Sequence, residues 1–114
     1  MTIVRLDAGP RMSQAVVAGG LVFTAGQVAA GPTVTAQTEA VLAQIDALLA
    51  RAGTSKANLV SATIWLVDMA EFAEMNAVWD RWVIPGATPA RATVGAPLAA
   101  PAFKVEIAVV AALD

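Results

Sequence analysis

The sequence predicts an α+β domain: one mixed sheet of about six strands with two helices packed on one of its faces. Three observations carry this. Apolar side chains repeat at the helical period over 35–52, and a second helical pattern follows Asp68. The other apolar runs are short, rich in β-branched and aromatic residues, and separated by Gly and Pro. The resulting order, β-ββ-α-β-α-β-β, has its natural layered solution in such a sheet, whose other face then needs a cover.

Val4 to Leu6 reads as a short first strand, followed by a polar stretch through Pro10, Arg11 and Ser13. Ala15-Val16-Val17-Ala18 and Leu21-Val22-Phe23-Thr24-Ala25 flank Gly19-Gly20, a two-residue hairpin signal. In the first helix Val41, Leu42, Ile45, Leu48, Leu49 and Ala52 form one stripe, with Gln37, Glu39, Gln44, Asp46 and Arg51 elsewhere on the cylinder. Gly53 supplies its stop. Leu59 to Val67 is strand-like. Asp68 with Glu71 three residues on has the pattern of a capping box, opening a helix that buries Phe72, Met75, Trp79 and Trp82. Pro85-Gly86 ends it, and two last strands carry Arg91 and Glu106.

The 114 residues make one domain, 1–114, large enough for a core without disulfides or metals. Hydrophobic residues are 58% and charged residues only 14%, so apolar surface remains once one small core is filled. A homo-oligomer is expected. Cysteine and histidine are both absent, which removes thiolate nucleophiles, His-based triads and the commonest metal ligands; neither metal nor cofactor is expected. A net charge of −2, with seven Lys+Arg scattered singly, is a poor footprint for nucleic acid. No apolar run approaches the roughly 18–20 residues that cross a bilayer. The N-terminus lacks signal-peptide architecture, so a cytoplasmic location is expected.

Arg91 and Glu106 stand in apolar strands, where a charge must be paired or shift its pKa. Alternation puts Arg91 and Thr93 on one strand face, and Lys104, Glu106 and Ala108 on one face of the next. An antiparallel return through Ala96 to Ala102 would make Arg91 and Glu106 near neighbours. Such a pair is either a cross-strand ion pair that sets register or the working end of an acid-binding site. In the second case the guanidinium grips a carboxylate and the carboxylate moves protons for a bound water. Gly26-Gln27 after a strand is either a turn or a source of backbone contacts to a small ligand. Taken alone, Asn76, Trp79 and Trp82 read as helix surface and core, Met12 as packing, and Asp80 and Arg81 as solvated charges.

With Ser13-Gln14, Thr24-Ala25-Gly26-Gln27, the 44–49 helix, Ala62 to Asp68, Phe72 to Asn76, Pro89-Ala90-Arg91 and Lys104 to Ile107 in this order, the chain resembles the RidA/YjgF family of reactive-intermediate deaminases. It looks closest to the short bacterial, YoaB-like subgroup. The resemblance implies a chorismate-mutase-like fold and a homotrimer with a barrel-like centre, helices outside and clefts at subunit interfaces. It implies hydrolysis of enamine and imine acids, such as 2-aminoacrylate and 2-iminopropanoate, to 2-keto acids and ammonia. By the same resemblance Arg91 binds the substrate carboxylate and Glu106 positions and activates water. Gly26 and Thr93 supply backbone contacts, and Asn76 lines the cleft. Met12 and Ala25 stand where RidA itself has tyrosine and serine, which bears on substrate choice.

The chemistry agrees, because a protonated imine is electrophilic enough to need no metal or covalent nucleophile. The runner-up is a binding module that holds a keto acid in the same cleft without turnover. The endoribonuclease activity attributed to some relatives fares worse, for want of histidine or a basic patch.

Overall fold

The structure is a computed structural model and describes residues 1–114. Its strands are β1 (Val4–Leu6), β2 (Ala15–Ala18), β3 (Leu21–Thr24), β4 (Leu59–Leu66), β5 (Ala90–Gly95) and β6 (Val105–Ala112), and its helices α1 (Val34–Ala52) and α2 (Phe72–Trp82). They form one mixed sheet of six strands in the order β1-β2-β3-β6-β4-β5, parallel only between β4 and β5. This is the predicted fold class. No helix is long and apolar enough to cross a membrane.

Local chemistry explains the boundaries. Gly19 and Gly20 have φ of 59° and 78°, the left-handed pair a tight hairpin needs between β2 and β3. Thr33 accepts a hydrogen bond from the Ala36 amide and starts α1, and Gly53 at φ 93° ends it with its N–H on the Ala50 carbonyl. Both helices cover one sheet face. Leu42, Ile45 and Leu49 of α1 and Met75, Val78 and Trp79 of α2 are buried against Ala62, Ile64 and Leu66 of β4 and Val105, Ile107 and Val109 of β6.

Three expectations are corrected. Asp68 does not open α2. Its carboxylate accepts from the Ala70 amide only two residues on, which closes a tight 3₁₀ turn over Met69–Glu71, and α2 begins at Phe72. Phe72, the first residue of α2, stays 37% exposed although it shares a helix face with buried Trp79. Gln37, expected on the outer face of α1, is fully buried. Its amide donates to the Gly31 and Ala102 carbonyls at 3.0 and 2.9 Å and accepts from the Lys104 N–H at 2.8 Å. A polar side chain is admitted there because two loops need its full hydrogen-bonding set.

The third correction concerns the last two strands. β5 and β6 are not neighbours, because β4 lies between them and β5 joins it in parallel. The 96–104 connection therefore crosses over one strand rather than forming a hairpin.

The face away from the helices is bare and apolar. Phe23, half-buried Trp65, Val94 and Val110 lie on it, with Phe23 and Val94 both 43% exposed. The one ion pair, Arg51 to Asp7 at 2.8 Å, ties the loop after β1 to the end of α1. Its hydrogen bonds hold the Asp7 carboxyl below its ordinary pKa.

Candidate functional site

Register decides where the two charged residues point, since partners across a ladder share a face. Arg91 pairs with Ala62 and Thr93 with Ile64, and both partners are buried under the helices. Glu106 pairs with Trp65, on the bare face. Arg91 and Glu106 therefore lie on opposite faces of the sheet. Two strand spacings and three residues of β4 separate their backbones, about 14 Å. The cross-strand ion pair is ruled out, and so is a single-chain site that uses both.

Each residue instead anchors its own half-site. The Arg91 guanidinium lies over the Trp79 ring at 5.2 Å and the Phe72 ring at 5.9 Å, and donates to Asn76 Oδ1 at 2.8 Å. Phe72, Asn76 and Trp79 follow one another at helical spacing on α2, so a single helix face cradles the cation. One of its five N–H donors is satisfied within the chain, and the others remain for a planar anion. Thr93, two residues on and facing the same way, holds a buried hydroxyl oxygen with no hydrogen-bond partner. Residue type and spacing put Asn76 and Trp79 in helix surface and core, and only the family resemblance puts Asn76 in the cleft. Spacing alone shows that they share a face, not that an edge-strand arginine lies over it.

The second half-site centres on Glu106 and the end of β3. Phe23 pairs with Val110, but Gln27 pairs with Ile107, so three residues, 24–26, face two, 108 and 109. This is a β-bulge, and it pushes Gly26 out of the ladder. The Gly26 N–H and C=O make no backbone hydrogen bond within the chain. The Glu106 side chain folds down onto Gly26, where a Cβ would lie 2.7 Å from its Cδ and 3.0 Å from its Cγ. Gly26 has no positive φ, so glycine is required by space rather than by backbone conformation. Gly26→Ala is therefore expected to turn Glu106 into another rotamer in a crystal structure of the variant. An unmoved carboxylate would refute the steric role.

Among the remaining site candidates, Met12 is 46% exposed in the loop between β1 and β2, and Ala25 sits in the bulge, its N–H on the Gln14 carbonyl. The one groove within a single chain, about 260 Å³, lies elsewhere. It runs between α1 and α2 beside Leu42, Asp46, Lys56 and Trp82 and includes no residue of either half-site. The chemistry of Arg91 and Glu106 thus has no pocket of its own inside one chain.

Comparison with known proteins agrees with this architecture. Residues 2–113 match the family described as Endoribonuclease L-PSP. The chain is 45% identical over 114 residues to the RutC family protein YoaB of Escherichia coli strain K12, covering 99% of this chain and all of that one. It is 41% identical over 114 residues to a RutC family protein of Haemophilus ducreyi, covering 98% and 97% of the two chains. Among solved structures, NMB1025 of Neisseria meningitidis, a member of the YjgF family, superposes with a TM-score of 0.98 at 50% identity, covering 100% and 97%. Rv2704 of Mycobacterium tuberculosis, of the YjgF/YER057c/UK114 family, gives 0.91 at 28%, covering 98% and 100%. With its sequence matched end to end and its fold shared with solved YjgF members, the chain belongs to the RidA/YjgF, or Endoribonuclease L-PSP, family.

Proposed function

We propose that the protein is a cofactor-independent deaminase that hydrolyses 2-imino and enamine acids to 2-keto acids and ammonia. The working site is composite: Arg91, Asn76 and Thr93 come from one subunit, and Glu106 and Gly26 from its neighbour in a homotrimer. The observation that carries this is the pair of half-sites. One offers free guanidinium donors, the other a carboxylate beside unpaired peptide groups, and they lie on opposite faces of the same sheet. Neither is complete alone, and the bare face with Phe23 and Val94 has the apolar character of a surface that another subunit covers.

In this reading Arg91 fixes the substrate carboxylate and thereby the orientation of the C=N bond. Glu106 takes a proton from a water as its oxygen adds to the imine carbon. With the imine protonated at the start, this gives a neutral carbinolamine. Glu106 then returns the proton to nitrogen and takes the carbinolamine hydroxyl proton as C=O forms and the C–N bond breaks. The departing ammonia takes up that last proton, so the products are keto acid and ammonium and the carboxylate is regenerated. Gly26 N–H and C=O are available to orient that water. Ala25 precedes Gly26 in the bulge and adds an apolar group to the Glu106 half-site, a setting suited to imines with apolar side chains.

The test is keto-acid release from imines generated in situ by an amino-acid oxidase. Acceleration over buffer hydrolysis is expected, and it is expected to fall at least about 100-fold in Arg91→Ala and Glu106→Gln. No acceleration with any of several amino acids, together with tight keto-acid binding, would replace the deaminase by a binding protein. The activity in the family's description has less support here: seven cations are scattered singly, and no histidine is present for acid–base cleavage of RNA.

A further inference from the structure

The bulge that exposes Gly26 is held open by side chains with no assigned role. Gln27 is 7% exposed, and both hydrogens of its amide are used: one on Gln14 Oε1 at 2.9 Å, the other on the Ala25 carbonyl at 3.1 Å. Its backbone N–H and C=O bridge to Ile107 at 2.8 and 3.1 Å, immediately after Glu106. On the other side of the bulge the Thr24 hydroxyl accepts from the Val109 N–H at 3.0 Å. It takes the place of the carbonyl that a regular ladder would have offered.

Gln27 and Ala25 are thus pinned on either side of Gly26, whose own N–H and C=O stay free of backbone partners. An unsupported bulge would slide by one residue to recover those hydrogen bonds, carrying Gly26 into the ladder and away from the carboxylate. Gln27 opposes this in two ways. Its backbone locks the register to Ile107, and its amide occupies the Ala25 carbonyl, which would otherwise seek a ladder partner. Gln14 in turn fixes the amide's orientation, because only its Oε1, an acceptor, matches the second Gln27 hydrogen.

We propose that Gln27, supported by Gln14 and Thr24, is a positioning residue: it holds the β-bulge that keeps the Gly26 peptide groups unpaired beside the Glu106 carboxylate. The inference deepens the deaminase reading and rests on it for its kinetic arm. The prediction is asymmetric between the half-sites. Gln27→Met keeps the length and apolar volume but removes both donors. It should lower kcat at least about 10-fold while leaving keto-acid affinity, set by Arg91, within about twofold. Combined with Glu106→Gln it should add little further loss, since both changes disable one unit. Gln27→Glu should fail as Gln27→Met does, while Thr24→Ser, which retains the acceptor, should keep wild-type kcat.

A second readout does not depend on turnover. In NMR pH titrations the Gly26 amide should follow Glu106 ionisation in the wild type and cease to follow it in Gln27→Met. Folded Gln27→Met protein with wild-type kcat, a full additional loss in the double variant, or an unchanged Gly26 response would overturn the proposal. If the wild type hydrolyses no imine at all, the deaminase reading falls, and the titration alone decides the clamp.

Discussion

Mixing Arg91→Ala with Glu106→Gln subunits is expected to restore about a quarter of wild-type activity, although each variant alone is inactive. The expectation follows from strand register. Arg91 pairs with Ala62 on the helix-covered face and Glu106 with Trp65 on the bare one, so no rotamer brings the two side chains together within a chain. A site that needs both must draw them from two subunits. In randomly assembled trimers a given interface is intact when it takes Arg91 from a Glu106→Gln subunit and Glu106 from an Arg91→Ala subunit, about one case in four. Co-expression with two different tags, purification over both and assay of keto-acid release measure this directly. Because tag selection removes the pure trimers, each retained trimer has one intact interface in three, and its activity should be about a third of wild type. If each site lay within one chain, no mixed trimer would regain activity, so a zero result sinks the composite site.

The second large effect is on stability. Gln37→Leu is expected to cost about 3 kcal/mol, because it removes the partner of two part-buried carbonyls and one part-buried N–H while changing volume little. For a domain of this size that corresponds to a fall of about 10 °C in melting temperature. Gln37 joins the loop before α1, through Gly31, to Ala102 and Lys104 at the entrance of β6. Lys104 is two residues before Glu106, so activity should fall as well, at temperatures where the variant is still folded. Calorimetry of Gln37→Leu beside Glu39→Leu, on the exposed side of the same helix, checks it. Equal melting temperatures for the two variants would show that the buried network contributes nothing.

These effects separate what was legible in the chain from what was not. The hairpin at Gly19-Gly20, the cap at Gly53 and the helical stripe through Val41, Ile45 and Leu49 are local, and φ preference and periodicity reveal them directly. Gln37 was misread because a polar residue near a helix start usually faces water. Only the arrival of a loop more than sixty positions later in the chain, against the turn that precedes α1, makes burial favourable. Phe72 has the periodicity of a core residue and shares a face with Trp79, but it is the first residue of α2 and lies against the Arg91 guanidinium, a neighbour that spacing along the chain does not reveal.

The candidate site divides in the same way. Residue type alone marked Arg91 and Glu106, because charges are conspicuous in apolar strands, and order along the chain made Gly26, Thr93 and Asn76 recognisable beside them. By itself the sequence determined the elements, the fold class and the chemical inventory, all of which rest on short-range periodicity and on which groups are present. Tertiary structure alone decided that β4 comes between the last two strands, that the guanidinium lies over α2, and that a bulge brings Gly26 beneath the carboxylate. Strand order and register are set by contacts between segments far apart in sequence. A shift of one residue or one strand exchanges the faces while leaving every local pattern unchanged.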